Sequence, residues 1–327
     1  MSTLPGTQMI HMLACAALLL FPPVPSGDEG IAEAMKQFAA KDYDGARKTL
    51  EAVISHDGSD VEARYQLSKL LANHFRDYDA AEEMMEKAVE LAEGNGEYHF
   101  FLGSVYGAQA QLAGLLSKFS YAKKTRDQFE RAVELQPDSV RYRSALMSYY
   151  LMAPGIAGGD VDKAKAQAEE ILRRNAFEGH MSLARIATSE NELENAEKEY
   201  TLAISARPAD WRPHHMLGYL YLRMKRADDA VAQFREYVRL SPKDPNSYDS
   251  LADGYMAKGN TDEALSSYLQ ALSLDPRFPS SVYGAGKCYD AKGMKAEALK
   301  NYRQYLAENP KGAYAGEAKE RVDELGK

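Results

Sequence analysis

The chain has 327 residues, 45% hydrophobic and 27% charged, with 48 acidic against 40 basic side chains and a formal net charge of -8. This is the composition of a soluble globular protein; it excludes collagen, long disorder and a polytopic membrane protein. The negative balance disfavours non-specific attraction to nucleic acid or anionic lipid, and two cysteines, Cys15 and Cys288, cannot build a disulfide framework.

Residues 12–21, MLACAALLLF, are an apolar run of ten, followed by Pro22, Pro23 and Pro25 and then GDEG. Ten helical residues rise about 15 Å, half of a bilayer core, so the run is too short to span. Its length, with small residues at Val24 and Ser26, reads as a secretory signal over residues 1–26, the mature chain beginning near Gly27. The segment lacks Lys and Arg, which argues the other way; if retained, it is a disordered or core-packed N-terminal helix. Cys15 follows Leu13-Ala14 as in a lipoprotein box, but the apolar residues after it argue against lipidation.

From Gly27 onward one pattern recurs. Ala34, Ala46 and Leu50 open it; Leu67, Ser68, Leu71, Ala81, Met85 and Ala88 repeat it with one extra residue. Leu102, Gly103, Tyr106, Phe129, Ala132 and Pro137 follow, then Leu146, Met147, Tyr150, Ala164 and Ala168. Beyond these the step is fixed. Leu183, Ala184, Ala187, Ala196, Tyr200 and Pro208 return 34 residues later as Leu217, Gly218, Tyr221, Ala230, Phe234 and Pro242. The same step reaches Leu251, Ala252, Tyr255, Ala264, Tyr268 and Pro276, then Ala285, Gly286, Tyr289, Ala298, Tyr302 and Pro310.

This pattern resembles the tetratricopeptide repeat (TPR), W-x2-L-G-x2-Y, then A-x3-F, then P. The resemblance implies an all-α fold, a right-handed α-solenoid of about eight hairpins over residues 27–312, each an A helix followed by a B helix. Small residues sit where the two helices approach and aromatics fill the gaps between units. Residues 313–327 supply a capping helix, with Ala318, Val322 and Leu325 as one apolar stripe.

Two units break the period. Ten extra residues between Tyr106 and Phe129 predict an extended hairpin at 96–139, whose Leu112, Leu115, Leu116 and Phe119 either dock a partner or membrane surface or pack on one another. A long turn at 152–162, MAPGIAGGDVD, lacks the Lys-Ser/Thr of a phosphate loop and has no strand before it, so it reads as a structured turn with Asp160 or Asp162 capping the next helix. Together they look similar to bacterial TPR proteins mostly predicted to be exported, a resemblance that implies no specific activity; the expected periplasmic or secreted location rests on the signal segment.

No catalytic, metal or cofactor motif emerges. The seven histidines lie in no ligand spacing, His214 and His215 point about 100° apart on a helix, and Cys288 reads as buried filler. TPR arrays use the concave face lined by A helices, where the matching positions here include Tyr65, Lys69, Phe100, Arg141, Arg185, Arg212, His215, Tyr219, Asp249, Asp253, Tyr283 and Lys287. These predict a basic middle (Arg141, Arg185, Arg212), an acidic segment (Asp249, Asp253) and aromatic anchors for a peptide of mixed charge. The carboxylate clamp of chaperone-binding TPR domains is not matched: Ile31, Met35, Gln66, Glu97 and Phe101 stand at its positions. The expectation is a non-enzymatic scaffold binding a protein segment. The alternatives are a cytosolic adaptor, if residues 1–26 stay, and an enzyme or ligand-binding protein using the superhelix interior.

Overall fold

A computed structural model describes residues 27–327, the side chains of Leu115 and Leu116 excepted. The expected signal segment and Cys15 lie outside the described residues, as do the side chains of two of the four apolar residues expected at the long hairpin. Every regular element among the described residues is helical. The chain divides into two compact units, one ending at Gln109 and one beginning at Ala110.

The first unit holds α1 (Gly27–Ala39), α2 (Tyr43–His56), α3 (Val61–Leu70), α4 (Tyr78–Leu91) and most of α5 (Gly96–Leu112). α1 packs on α2, α2 on α3 and α3 on α4, and α1 also touches α3, so the first helices of these two hairpins share one face. Ala34, Ala46, Leu50, Val53, Ala63 and Leu67 form the seam between them, all buried. The helices start where an aspartate can satisfy free N–H groups: Asp42 accepts from Gly45 N at 2.9 Å and Asp60 from Ala63 N at 2.8 Å. The one extra residue of this repeat is taken up by a π-helical turn, Leu71–Phe75, which closes with Asp77 N donating to Leu71 O at 3.0 Å.

The second unit holds α6 (Leu115–Leu135), α7 (Val140–Met152), α8 (Val161–Arg174), α9 (Ala176–Ser189), α10 (Leu193–Ala206), α11 (Arg212–Arg223), α12 (Ala227–Leu240), α13 (Pro245–Lys258), α14 (Thr261–Leu274), α15 (Pro279–Ala291), α16 (Lys295–Glu308) and α17 (Ala315–Leu325). They stack in chain order, and the A helices touch in the pairs α7–α9, α11–α13 and α13–α15. The small residues act as the repeat requires. A Cβ added to Gly218 would fall inside the Phe234 ring, and Ala230, Ala252, Ala264 and Ala298 are wholly buried. Prolines 208, 242, 276 and 310 each stand one residue past the end cap of a B helix, which they cannot continue.

α5 and α6 have 17 and 21 residues against 10 to 14 in the other helices. The long turn is ordered around a 3-10 turn, Gly155–Ala157: Tyr149 Oη donates to Ala157 O at 2.5 Å and Asp160 N to Tyr150 O at 2.8 Å. Asp160 is the cap, accepting from Lys163 N at 3.1 Å. α17 closes the stack, burying Ala318 with Val322 and Leu325 against Tyr302 and Tyr305. No helix among the described residues is long and apolar enough to cross a membrane.

Candidate functional site

The expected site residues all lie on A helices, and their environments divide them. On the first unit Tyr65 is half-buried: its hydroxyl donates to Glu97 at 2.8 Å and its ring meets Tyr98 and Phe101 at 5.1 and 5.6 Å. Lys69 Nζ sits 4.8 Å above that ring, within cation–π range, and Phe100 is half-buried on α5. Lys69 also borders an apolar pocket of about 120 Å³ with Met35, Phe38, Gln66, Leu70 and Asn73, a feature that the repeat positions do not name.

On the second unit the expected basic middle is corrected. Arg141 is exposed beside the Tyr142 ring, but Arg212 is neutralised, donating to Asp210 at 2.8 and 2.9 Å and to Glu178 at 3.1 Å while lying over Phe177. Arg185 is half-buried and donates to Ser148 Oγ at 2.7 Å. His215 is packed among Trp211, Tyr219 and Tyr237, with ring centroids 5.0 to 5.9 Å away, and burial lowers its pKa so that it is held neutral.

The acidic segment is corrected as well. Asp249 is buried, accepting from Ser281 at 2.6 Å and Ser280 at 2.9 Å, and burial raises its pKa to about 6. Asp253 accepts from Tyr219 at 2.9 Å and Tyr268 at 2.7 Å, and burial raises its pKa too. Neither carboxylate is an open acidic surface. Tyr283 is likewise no open anchor, because it is buried and stacked on Tyr314 at 4.3 Å with the rings 2° from parallel. Lys287 is exposed, 3.8 Å from Glu317, at the rim of a depression of about 350 Å³ where Arg321 holds Asp290 at 2.7 and 2.8 Å.

The partners that sequence reasoning missed obey a simple offset. Neighbouring A helices meet at residues 31 to 34 apart: Glu178 with Arg212, Tyr219 with Asp253, Asp249 with Ser280 and Asp290 with Arg321. Ser148 and Arg185 are 37 apart because the long turn lengthens that repeat. Asking which side chain stands one repeat away would have found each pair. Tyr283 and Tyr314, 31 apart, fit the same offset although Tyr314 lies beyond the last repeat.

Sequence models described as tetratricopeptide repeat match residues 37–112, 156–211, 212–244 and 250–313. The chain belongs to the tetratricopeptide repeat family. TPR chains commonly mediate protein–protein or peptide binding. Among solved structures, a TPR protein from Parabacteroides merdae is similar to this one over 80% of this chain and 98% of its own, at TM-score 0.60 and 15% identity. The APC/C hetero-tetramer Cut9–Hcn1 is similar over 91% of this TPR chain and 55% of that chain, at TM-score 0.54 and 13% identity. At these identities the likeness is one of fold. No curated protein matches the TPR chain by sequence. Among its described residues no group of three His, Cys, Asp or Glu side chains could hold a metal, and Cys288 is buried with its thiol 3.4 Å from Met256 Sδ.

α5 leaves Leu112 exposed and α6 leaves Phe119 half-buried, and Ile156 stands out from the long turn.

Proposed function

We propose that this TPR protein is a non-enzymatic scaffold that binds an extended protein segment along the A-helix face of its repeats, outside the cytoplasm after loss of residues 1–26. The observation that carries the docking is on the second unit, where Met181, His215, Tyr219 and Leu222 are half-buried on the A helices, Met181, Tyr219 and Leu222 resting on the buried core with part of their surface still open. His215 and Tyr219 are fixed by ring packing and by Asp253, so a ligand meets side chains already ordered and little rotamer entropy is lost on binding. A photoreactive residue at Met181 or Leu222, compared with one at the exposed Ala232 on the B helix α12, tests this in intact cells. Crosslinks to one protein segment from the first two positions and not the third are expected; equal capture at all three refutes the docking face.

Export rests on the apolar run at 12–21, and the absence of Lys and Arg before it favours the cytosolic adaptor as second reading. Mass spectrometry of the purified native chain separates them: a mature start near Gly27 is expected, and a chain retaining residues 1–26 supports the adaptor.

A further inference from the structure

The partly buried arginines of the second unit are matched to acids, with one exception. Arg212, Arg226 and Arg321 each bind two carboxylates. Arg185, on α9, is half-buried, and its partner is neutral: the Ser148 hydroxyl on α7, which in turn donates to Ser144 O. No carboxylate among the described residues stands within ion-pair range of it. Burial without a counter-charge lowers its pKa, yet a guanidinium stays protonated in proteins.

A guanidinium carries five N–H donors in a rigid fork shaped for a carboxylate. The fold has already removed part of its water and fixed it against Ser148, so an incoming carboxylate meets a cation already partly desolvated and oriented. Met181, one turn before it on α9, is half-buried and keeps part of its apolar side chain open. We propose that Arg185 sets the specificity of the A-helix face by pairing with an Asp or Glu side chain inside the docked segment, with apolar residues flanking that acid. This inference rests on the docking reading above and adds the chemistry of the occupant.

The test is selection of a random displayed peptide library on the intact chain, with selected peptides then made with a photoreactive residue. Expected are peptides that crosslink to α7, α9 or α11 and share an acidic residue at one position. Changing that residue to Gln weakens binding to the wild type roughly 10- to 100-fold, as for hydrogen bonds between charged partners, and by less than about twofold to Arg185→Gln. Arg185→Lys, which keeps the charge but loses the fork, falls between, and Arg185→Glu selects Lys or Arg at the same position. Circular dichroism checks that each variant folds; where one does not, the Gln substitution in the peptide and the remaining variants decide. Peptides that bind the A helices with no acidic preference, or with one that survives Arg185→Gln, overturn this inference and leave the docking reading standing. Selection of no peptide, or crosslinks confined to B helices, overturns both.

Discussion

Four side chains of this protein occupy a backbone conformation that suits glycine. Lys41, Arg76, Asn191 and Lys225 have φ between 55° and 64° at turns between A and B helices, where the later repeats place Gly259 and Gly293 at 78° and 71°. The left-handed region costs a residue with a Cβ about 1 kcal/mol. Lys225 is exposed and shows no ion pair, so Lys225→Gly is expected to raise stability by up to about 1 kcal/mol, as thermal unfolding would show. Gly218→Ala has the opposite sign: the new methyl must displace the wholly buried Phe234 ring, at a cost of roughly 1 to 3 kcal/mol, read from the denaturant midpoint. Asp249 gives a pH signature. Its folded pKa of about 6 lies above the ordinary 3.8, so the native state binds the extra proton and stability falls as pH rises from about 4 to 6. That contribution is on the order of 3 kcal/mol, with Asp253 adding in the same direction, and Asp249→Asn is expected to flatten this part of the stability profile. The acids also mark a limit of sequence reading. Repeat position placed Asp249 and Asp253 on an A helix, α13, but their burial depends on Ser281, Tyr268 and Tyr219 from other helices.

Among elements, helix type and order were legible from the 34-residue step, because A helices present small residues to their B helices and the later B helices stop at a proline. The cap at Asp160 was legible to within two positions. Asp160→Ala is expected to cost about 1 kcal/mol, read as lower hydrogen-exchange protection at the start of α8. What the pattern left out was the manner in which irregular lengths are absorbed. The first-unit insertion becomes a π-helical turn that brings His74 onto Tyr43 with ring centroids 3.5 Å apart, and the second-unit one becomes a 3-10 turn pinned by Tyr149. Sequence spacing reports an extra residue; it does not report which hydrogen bonds will stretch around it.

For the whole molecule, stability is a sum over neighbours, so an end matters in proportion to the apolar surface it covers. A chain ended after Asn309 loses Tyr314 and α17, uncovering Tyr283, Tyr302 and Tyr305. The loss is on the order of 3 kcal/mol from the aromatic area alone. Hydrogen exchange is expected to quicken in α15 and α16 while α7 to α12 hold their protection. Uniform loss through α7 to α17 would instead mean that the second unit unfolds as one block. The π-helical turn between α3 and α4 has a wider meaning. Because the surplus residue is swallowed inside a single helical turn, Leu67 before it and Ala81 after it keep their places in the common seam. A gene encoding such an array can gain a codon there without disturbing the packing on either side, so length can drift in evolution while the buried seam of the first unit is inherited intact.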